Sequence, residues 1–339
     1  MRNLMRISVI TPCLNRKDFI EDAIQSVLRQ NFPDFEHWII DGGSTDGTLE
    51  LLGKYPHLKI LSERDRGVYD ALNKGIGRAS GDVVGFLNTD DQYAPGAFAL
   101  VKAVLESCPT MVCSGGSEIF QRIGSGIDLE MHRYVNPGRY HLSVRNATLG
   151  IPNINARFFR RCVFETVGVF DPSYKLSADR EFLLRAALID IPDVANSQLF
   201  YRYRWHADSL TMNAGSDSLL AAINEGILIS DIYSDLATTM PADRLTLIAW
   251  RRELLATAFM VQTVQRRPIQ ALRLAGRSFR DDPKWLIDLL RCGTLAAGRR
   301  SRTAFRKVLA TGTLLLVRSA STIRLTFCNG SQDSCSSFD

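Results

Sequence analysis

The amino-acid sequence predicts an α/β fold in which a doubly wound, mostly parallel sheet is followed by a helical extension. Short apolar runs alternate with segments of helical periodicity through residues 7–87, as strands and crossover helices do. Polar residues follow each apolar run directly, which is typical of sheets that bind ligands beyond the carboxyl ends of their strands. Beyond about residue 213, amphipathic helical patterns separated by prolines take over.

The elements of the first part follow in order. Four short apolar runs predict strands at residues 7–11, 35–40, 58–61 and 82–87. The intervening segments carry apolar residues at helical spacing and predict helices at residues 17–30, 48–55 and 67–79. Residues 115–155 have a mixed pattern that predicts no single element.

Helical patterns dominate the second part of the chain. They cover residues 163–170, 178–188, 218–236, 243–264 and 269–279. We therefore expect an α/β domain over residues 1–212 and a basic helical extension over residues 213–329. The polar residues 330–339 predict a disordered tail.

Composition and charge narrow the class of protein. The net charge is +5, yet residues 242–325 hold 17 Lys and Arg against 5 Asp and Glu. Such a basic segment suits either an anionic membrane surface or a solvated helical face. The seven cysteines are irregularly spaced, which argues against a disulfide framework and for a reducing, cytoplasmic location. No uncharged apolar stretch reaches the length of a membrane span.

Two acidic clusters are the strongest chemical signals. Asp90 and Asp91 follow the fourth predicted strand, and two adjacent carboxylates stay ionised best beside a cation such as Mg²⁺ or Mn²⁺. A helix cap or turn is the alternative role for this pair. Asp41 ends the second predicted strand before a Gly-Gly turn, where it can bind a base or ribose, whereas Asp46 suits a structural helix cap.

Four motifs together resemble family 2 glycosyltransferases with the Rossmann-like GT-A fold. They are residues 7–16 (ISVITPCLNR), 39–48 (IIDGGSTDGT), 62–75 (SERDRGVYDALNKG) and 81–91 (GDVVGFLNTDD). The third motif is similar to the subgroup that makes bacterial surface polysaccharides and glycolipids. The resemblance covers residues 5–95 and returns at residues 151–190.

The resemblance implies a nucleotide-sugar pocket and one divalent metal ion, Mg²⁺ or Mn²⁺. The residues implied to line the nucleotide are Thr11, Pro12 and Asn15, and those implied to contact base or ribose are Asp41, Asp65 and Asp90. Asp91 is implied as the direct metal ligand. Many relatives carry a second acidic residue where this chain has Gly42, so the base that is recognised stays unassigned.

By the same resemblance, Asp179 in the segment 177–185 (SADREFLLR) is implied as the general base, with Glu181 as the second choice. From the residues alone, Asp179 could equally cap the following helix. Residues 151–161 resemble the acceptor-side segment, although Asn153 and Asn155 stand where relatives often carry His and Gln. His206 lies in a region where some relatives contact the metal or the diphosphate, and it could equally be structural.

These observations predict an inverting transferase that moves one sugar from a nucleotide-diphosphate sugar to a lipid-linked or glycan acceptor. The expected location is the cytoplasm, with peripheral contact to an anionic membrane through the basic extension and no nucleic-acid partner. A non-catalytic binding subunit of the same fold is one alternative. A nucleotidyltransferase is another, although residues 11–15 lack the glycine-rich loop that such enzymes use.

Overall fold

The structure is a computed structural model that describes residues 5–123, 126–206, 216–236, 240–282, 284–285 and 287. Residues 288–329 of the basic extension that is predicted to contact a membrane, and the predicted tail at residues 330–339, lie outside these residues.

Nine strands form one twisted sheet within the described residues. The strands are β1 (Ile7–Cys13), β2 (Phe35–Asp41), β3 (Leu58–Ser62), β4 (Val83–Phe86), β5 (Gln92–Tyr93), β6 (Val112–Ile123), β7 (Ile127–Tyr134), β8 (Arg157–Arg160) and β9 (Asp193–Arg204). Their order across the sheet is β3-β2-β1-β4-β8-β6-β9-β5, and β7 pairs with β6.

The helices cover the two faces of the sheet and then continue as the extension. Those of the first 206 residues are α1 (Ile20–Leu28), α2 (Thr48–Leu52), α3 (Val68–Arg78), α4 (Ala97–Ser107), α5 (Val144–Thr148), α6 (Cys162–Thr166) and α7 (Ala178–Leu188). Those of the extension are α8 (Ser216–Asp235), α9 (Pro241–Val264) and α10 (Pro268–Asp281).

The first four strands form the parallel half of the sheet, as the sequence predicts. β1 pairs in parallel with both β2 and β4, and β2 pairs in parallel with β3. β1 and β4 are buried almost throughout, which explains their continuous apolar sequence. All four carboxyl ends therefore open at the same edge of the sheet.

The second half of the sheet is mixed, and the sequence did not predict its strands. β8 runs antiparallel to β4 and β6, while β9 runs parallel to β6. The first nine residues of β6 are all buried, so no polar alternation marks the strand. Helix α4 was likewise not predicted.

Two helix boundaries show why local periodicity is an incomplete guide. The pattern at residues 163–170 predicts a longer helix, but α6 ends at Thr166, because Gly168 follows with a left-handed φ of 88°. In contrast, α7 has the bounds that the sequence predicts.

The extension packs directly on the α/β part of the chain. Ile223 of α8 and Trp250 of α9 belong to the same buried hydrophobic cluster as Phe182 of α7. The division at residue 212 stays a prediction, since these helices share one core. None of the helices among the described residues is long and apolar enough to cross a membrane.

Candidate active site

The loops after the four parallel strands converge on one cleft. The first two loops are tied together by Asn15, whose backbone N–H donates to Ser44 Oγ at 2.8 Å. Asn15 Oδ1 in turn accepts from the backbone N–H of Thr45 at 2.8 Å. Asn15 adopts a left-handed φ of 53°, a conformation that asparagine tolerates better than most residues. It remains exposed at the cleft, where the resemblance places it.

Two residues implied to contact the nucleotide lie behind the cleft surface. Asp41 is fully buried and accepts from Gly43 N and Ser44 N, each at 3.1 Å, and from Ser62 Oγ at 2.7 Å. Thr11 is also buried, with Oγ1 2.9 Å from His37 Nε2. Both side chains therefore shape the loops through protein hydrogen bonds, and their contact with a nucleotide stays a prediction.

Asp65 occupies the space beside Gly42. A Cβ atom built on Gly42 would lie 2.6 Å from Asp65 Oδ2, far inside van der Waals contact. Asp65 Oδ1 is held by the backbone N–H of Gly67 at 2.9 Å. The carboxylate of Asp65 therefore fills the position that a side chain at residue 42 would take, and it stays partly exposed together with Pro12.

Asp91 is buried and its carboxylate accepts three hydrogen bonds. The donors are the Arg204 backbone N–H at 2.9 Å, the Tyr201 hydroxyl at 2.9 Å and Asn88 Nδ2 at 3.0 Å. Burial, followed by the negative charge of Asp90, raises the pKa of Asp91 well above its usual range. Both oxygens of Asp91 thus have protein partners in this geometry, and its role as the direct metal ligand stays a prediction.

Asp90 and His206 lie together next to Asp91. Asp90 Oδ2 lies 3.0 Å from His206 Nε2, and both side chains are partly exposed. The imidazole stacks on Phe19 with 4.6 Å between ring centroids, which fixes its orientation. A carboxylate and an imidazole suit Mn²⁺ or Mg²⁺ when phosphate oxygens complete the coordination. Among the described residues no cluster of three or more acidic, His or Cys ligands occurs.

Asp179 lies in the first turn of α7 and is held through one of its two oxygens. The Tyr69 hydroxyl donates to Oδ1 at 2.9 Å, and the Arg180 backbone N–H donates to the same atom at 2.8 Å. Burial raises the pKa of Asp179, whereas the bond from Tyr69 lowers it. A carboxylate with a raised pKa and one committed oxygen suits proton transfer.

Glu181, the second choice for the base, has a structural role in this geometry. It is buried and forms an ion pair with Arg185, whose Nε lies 2.7 Å from Glu181 Oε1. The Tyr233 hydroxyl from α8 donates to the same oxygen. Glu181 therefore joins α7 to the extension and is not available to an acceptor.

The extension also supports the loop that precedes Asp179. Glu225 of α8 accepts from the backbone N–H groups of Lys175 at 2.8 Å and Leu176 at 3.0 Å. The Arg180 guanidinium lies 5.3 Å from the centroid of the Trp250 ring in α9. The sequence offered no signal for these contacts, because each joins residues about 50 or more positions apart.

The acceptor-side segment is organised around Asn153. Its Oδ1 accepts from the backbone N–H groups of Asn155 at 3.0 Å and Ala156 at 3.1 Å, and from the Tyr203 hydroxyl. Asn153 thus anchors a turn, and the expected contact of this segment with the acceptor stays a prediction.

Comparison with known proteins gives this site a context. The model described as glycosyl transferase family 2 matches residues 8–168. An uncharacterized glycosyltransferase of Mycobacterium tuberculosis is 33% identical over 197 residues, which cover 57% of this chain and 72% of that protein. A PGL/p-HBAD biosynthesis glycosyltransferase of Mycobacterium bovis is 32% identical over 188 residues, covering 52% of this chain and 68% of that protein.

Solved structures share the fold at low sequence identity. A mannosyltransferase of Pyrobaculum calidifontis in complex with GDP-Man and Mn²⁺ has a TM-score of 0.59 at 17% identity, covering 93% of this chain and 86% of that chain. S. aureus TarS 1-349 in complex with UDP-GlcNAc has a TM-score of 0.51 at 16% identity, covering 82% of this chain and 92% of that chain. The shared architecture is the GT-A fold.

Replacing each acidic residue of the Asp90–Asp91 pair separates the two metal assignments. We expect Asp90→Asn to abolish Mn²⁺ binding in the presence of a nucleoside diphosphate while the melting temperature stays unchanged. Asp91→Asn should destabilise the fold by about 1–3 kcal/mol, because an amide NH₂ would face hydrogen-bond donors. Calorimetric Mn²⁺ titration and thermal unfolding measure the two effects. If the Asp91→Asn protein folds stably but loses Mn²⁺ binding, and the Asp90→Asn protein keeps it, Asp91 is the metal ligand.

Tyr69→Phe should change the pH dependence of turnover. Without the Tyr69 hydroxyl, Asp179 loses a bond that lowers its pKa, so its pKa rises further. Because a general base acts when deprotonated, the acidic limb of the kcat/KM profile should move to higher pH. Arg180, the charged group beside the Asp179 carboxylate, is unchanged in this variant. A profile that keeps its acidic limb in place would show that Asp179 does not control it.

Proposed function

The chain belongs to glycosyl transferase family 2 and is a glycosyltransferase, and from that premise we propose the reaction that its site carries out. It moves one sugar from a nucleoside diphosphate sugar to a hydroxyl of a lipid-linked or glycan acceptor, with inversion at the anomeric carbon. The observation that carries this proposal is Asp179, a carboxylate of raised pKa held through Oδ1 alone by Tyr69 and by its neighbour's backbone.

The donor is proposed to bind in the cleft formed by the four strand-end loops. The accessible side chains there are the exposed Asn15 and the partly exposed Pro12, Asp65 and Asp90. Structures of the same fold hold UDP-GlcNAc or GDP-Man, which supports a nucleoside diphosphate sugar without selecting the base or the sugar. Asp65, filling the space beside Gly42, is the residue proposed to contact the base or ribose.

Asp90 and His206 are the residues proposed to hold one divalent ion. When bound, Mn²⁺ or Mg²⁺ would offset the negative charge of the departing diphosphate. Mn²⁺ in a structure of the same fold supports a divalent metal, and the mixed carboxylate and imidazole donors of this chain are compatible with it.

Asp179 is proposed as the general base of a direct displacement. The acceptor oxygen attacks the anomeric carbon, the bond from that carbon to the diphosphate oxygen breaks, and the acceptor proton passes to Asp179. Oδ2 is the atom proposed to receive the proton, because both protein hydrogen bonds fall on Oδ1. Tyr69, carried on helix α3 after the third strand-end loop, couples the orientation of this base to the donor half of the cleft.

A non-catalytic binding subunit is the competing interpretation. It needs no proton acceptor, and therefore leaves unexplained a half-buried carboxylate of raised pKa that accepts its hydrogen bonds from the described residues at Oδ1.

Asp179→Asn tests the proposed reaction. We expect donor binding to stay near that of the unaltered protein while turnover falls about 10²–10⁴-fold, the usual contribution of a general base. Donor binding is measured calorimetrically and turnover by release of nucleoside diphosphate in the presence of acceptor. Glu181→Gln is the matched control, and its effect should appear in thermal stability. Near-normal turnover of Asp179→Asn would remove Asp179 as the base.

The extension is proposed to contact an anionic membrane peripherally, on the cytoplasmic face. On α10 the apolar side chains of Ile269, Leu272 and Phe279 are exposed, and Arg266 and Arg273 lie nearby in the sequence and are also exposed. Apolar and basic side chains on one surface helix suit the interface of an anionic bilayer.

Co-sedimentation with anionic liposomes tests this contact. We expect binding at low salt that weakens at high salt, since each basic residue near the surface contributes about 1 kcal/mol that salt screens. Leu272→Ser should weaken the binding, whereas Leu245→Ser, an exposed change on α9, should not. Binding that ignores both salt and lipid charge would contradict the electrostatic part of the proposal.

A further inference from the structure

The β6–β7 hairpin carries an apolar surface that the proposed reaction has not yet used. Four of its side chains, here called the hairpin strip, are exposed: Ile123 (42%), Ile127 (65%), Leu129 (51%) and Met131 (49%). Clustered apolar exposure of this kind marks a binding surface more often than a chance arrangement does.

Strand pairing places the core of this strip on one face of the hairpin. Ile123 lies opposite Ile127, and Gln121 lies opposite Leu129, so their side chains share a face. Met131 lies beside them at the irregular step of the pairing.

The other face of the hairpin is held by charged groups. Arg122 pairs with Asp128 at 2.8 Å and also with Asp22 of α1. Arg202 of β9 lies 3.3 Å from Asp128. These ion pairs fix the hairpin against α1 and β9, so the apolar face is the one that remains open. An apolar chain lying on the strip therefore meets none of these charges.

The open face continues into the side of the cleft that contains the general base. Along β6, Ile119 shares the face of Gln121 and Ile123, and it pairs with Tyr203 of β9. The Tyr203 hydroxyl donates to Asn153 in the expected acceptor-side segment. The Tyr203 ring centroid lies 4.6 Å from that of Tyr201, whose hydroxyl donates to Asp91. Burial raises the pKa of Tyr203 well above its usual range, and the negative charges of Asp91 and Asp179 add to this effect.

We propose that the hairpin strip binds the apolar part of an amphiphilic acceptor whose reacting hydroxyl lies at Asp179. This inference rests on the proposed function and deepens it, because it selects an acceptor with an apolar aglycone or lipid chain over a purely polar glycan. The donor is polar and is served by the strand-end loops. The acceptor is the substrate that must approach from the side of Asp179, Tyr203 and Asn153, and the strip continues that side.

Photo-crosslinking tests the proposal without requiring the natural acceptor. The probe is a dodecyl glucoside with a diazirine in its alkyl chain, used below its micelle concentration, and labelled peptides are located by mass spectrometry. We expect labelling of residues 127–131 that excess unlabelled dodecyl glucoside suppresses and methyl glucoside does not. Ile127→Ser/Leu129→Ser should reduce labelling about tenfold, since two aliphatic side chains that the bound alkyl chain covers contribute at least that much affinity. Leu245→Ser on α9 is the matched control and should label like the unaltered protein.

The possible outcomes separate this inference from the proposed function. Metal-dependent donor hydrolysis by the unaltered protein reports the proposed function by itself. Where hydrolysis is present but labelling falls on α10, is spread over the surface or survives in the double variant, the strip is not the acceptor site. Conversion of a dimer to a monomer by the double variant, seen by sedimentation, would also overturn the proposal and assign the strip to a second copy of the chain. Each serine replaces an exposed residue, and Ile127→Ser alone serves as a milder variant.

Discussion

The buried carboxylate of Asp91 is the interaction on which the geometry of the site depends. It joins the loop after β4 to strand β9 through Arg204 N and the Tyr201 hydroxyl. Burying a carboxylate costs free energy unless its oxygens accept hydrogen bonds. The loop after β4 and strand β9 therefore stabilise each other through Asp91. Asp90 precedes Asp91 by one residue and His206 follows Arg204 by two. The bonds of Asp91 therefore bring together a donor pair separated by 116 residues.

A second constraint positions the proposed base from three directions. Tyr69 reaches Asp179 from the donor half, Glu225 holds the preceding loop, and Trp250 packs against Arg180. Because α8 and α9 provide two of these contacts, the extension supports the active site in addition to any contact with a membrane. Substitutions at extension residues that do not contact a substrate can therefore change turnover.

The charged network on the far side of the cleft explains why the hairpin has one open face. Asp22 of α1 pairs with Arg122 of β6 and Arg204 of β9, and the Arg202 guanidinium stacks 4.5 Å from the Phe120 ring centroid. Partly buried arginines that pair with carboxylates and stack on an aromatic ring give a rigid contact. The apolar side chains of the opposite face are left exposed as a consequence.

The sequence by itself determined the parallel half of the fold, the helical extension and the family. Strands β1 to β4 are short and buried, and each is followed by a polar loop, so local periodicity and turn residues were sufficient to find them. It also selected the acidic residues, but not the part that each one plays. Asp41 and Asp91 are buried among protein partners, whereas Asp90 is partly exposed, and which of them contacts a ligand stays a prediction. Strand β6 was not predicted, because most of its side chains are buried and its sequence therefore lacks an alternation of polar and apolar residues. Only the tertiary structure could decide the surroundings of these acidic residues and the position of β6. Their hydrogen-bond and pairing partners are distant in the sequence and are brought together only by folding, so no local sequence pattern indicates them.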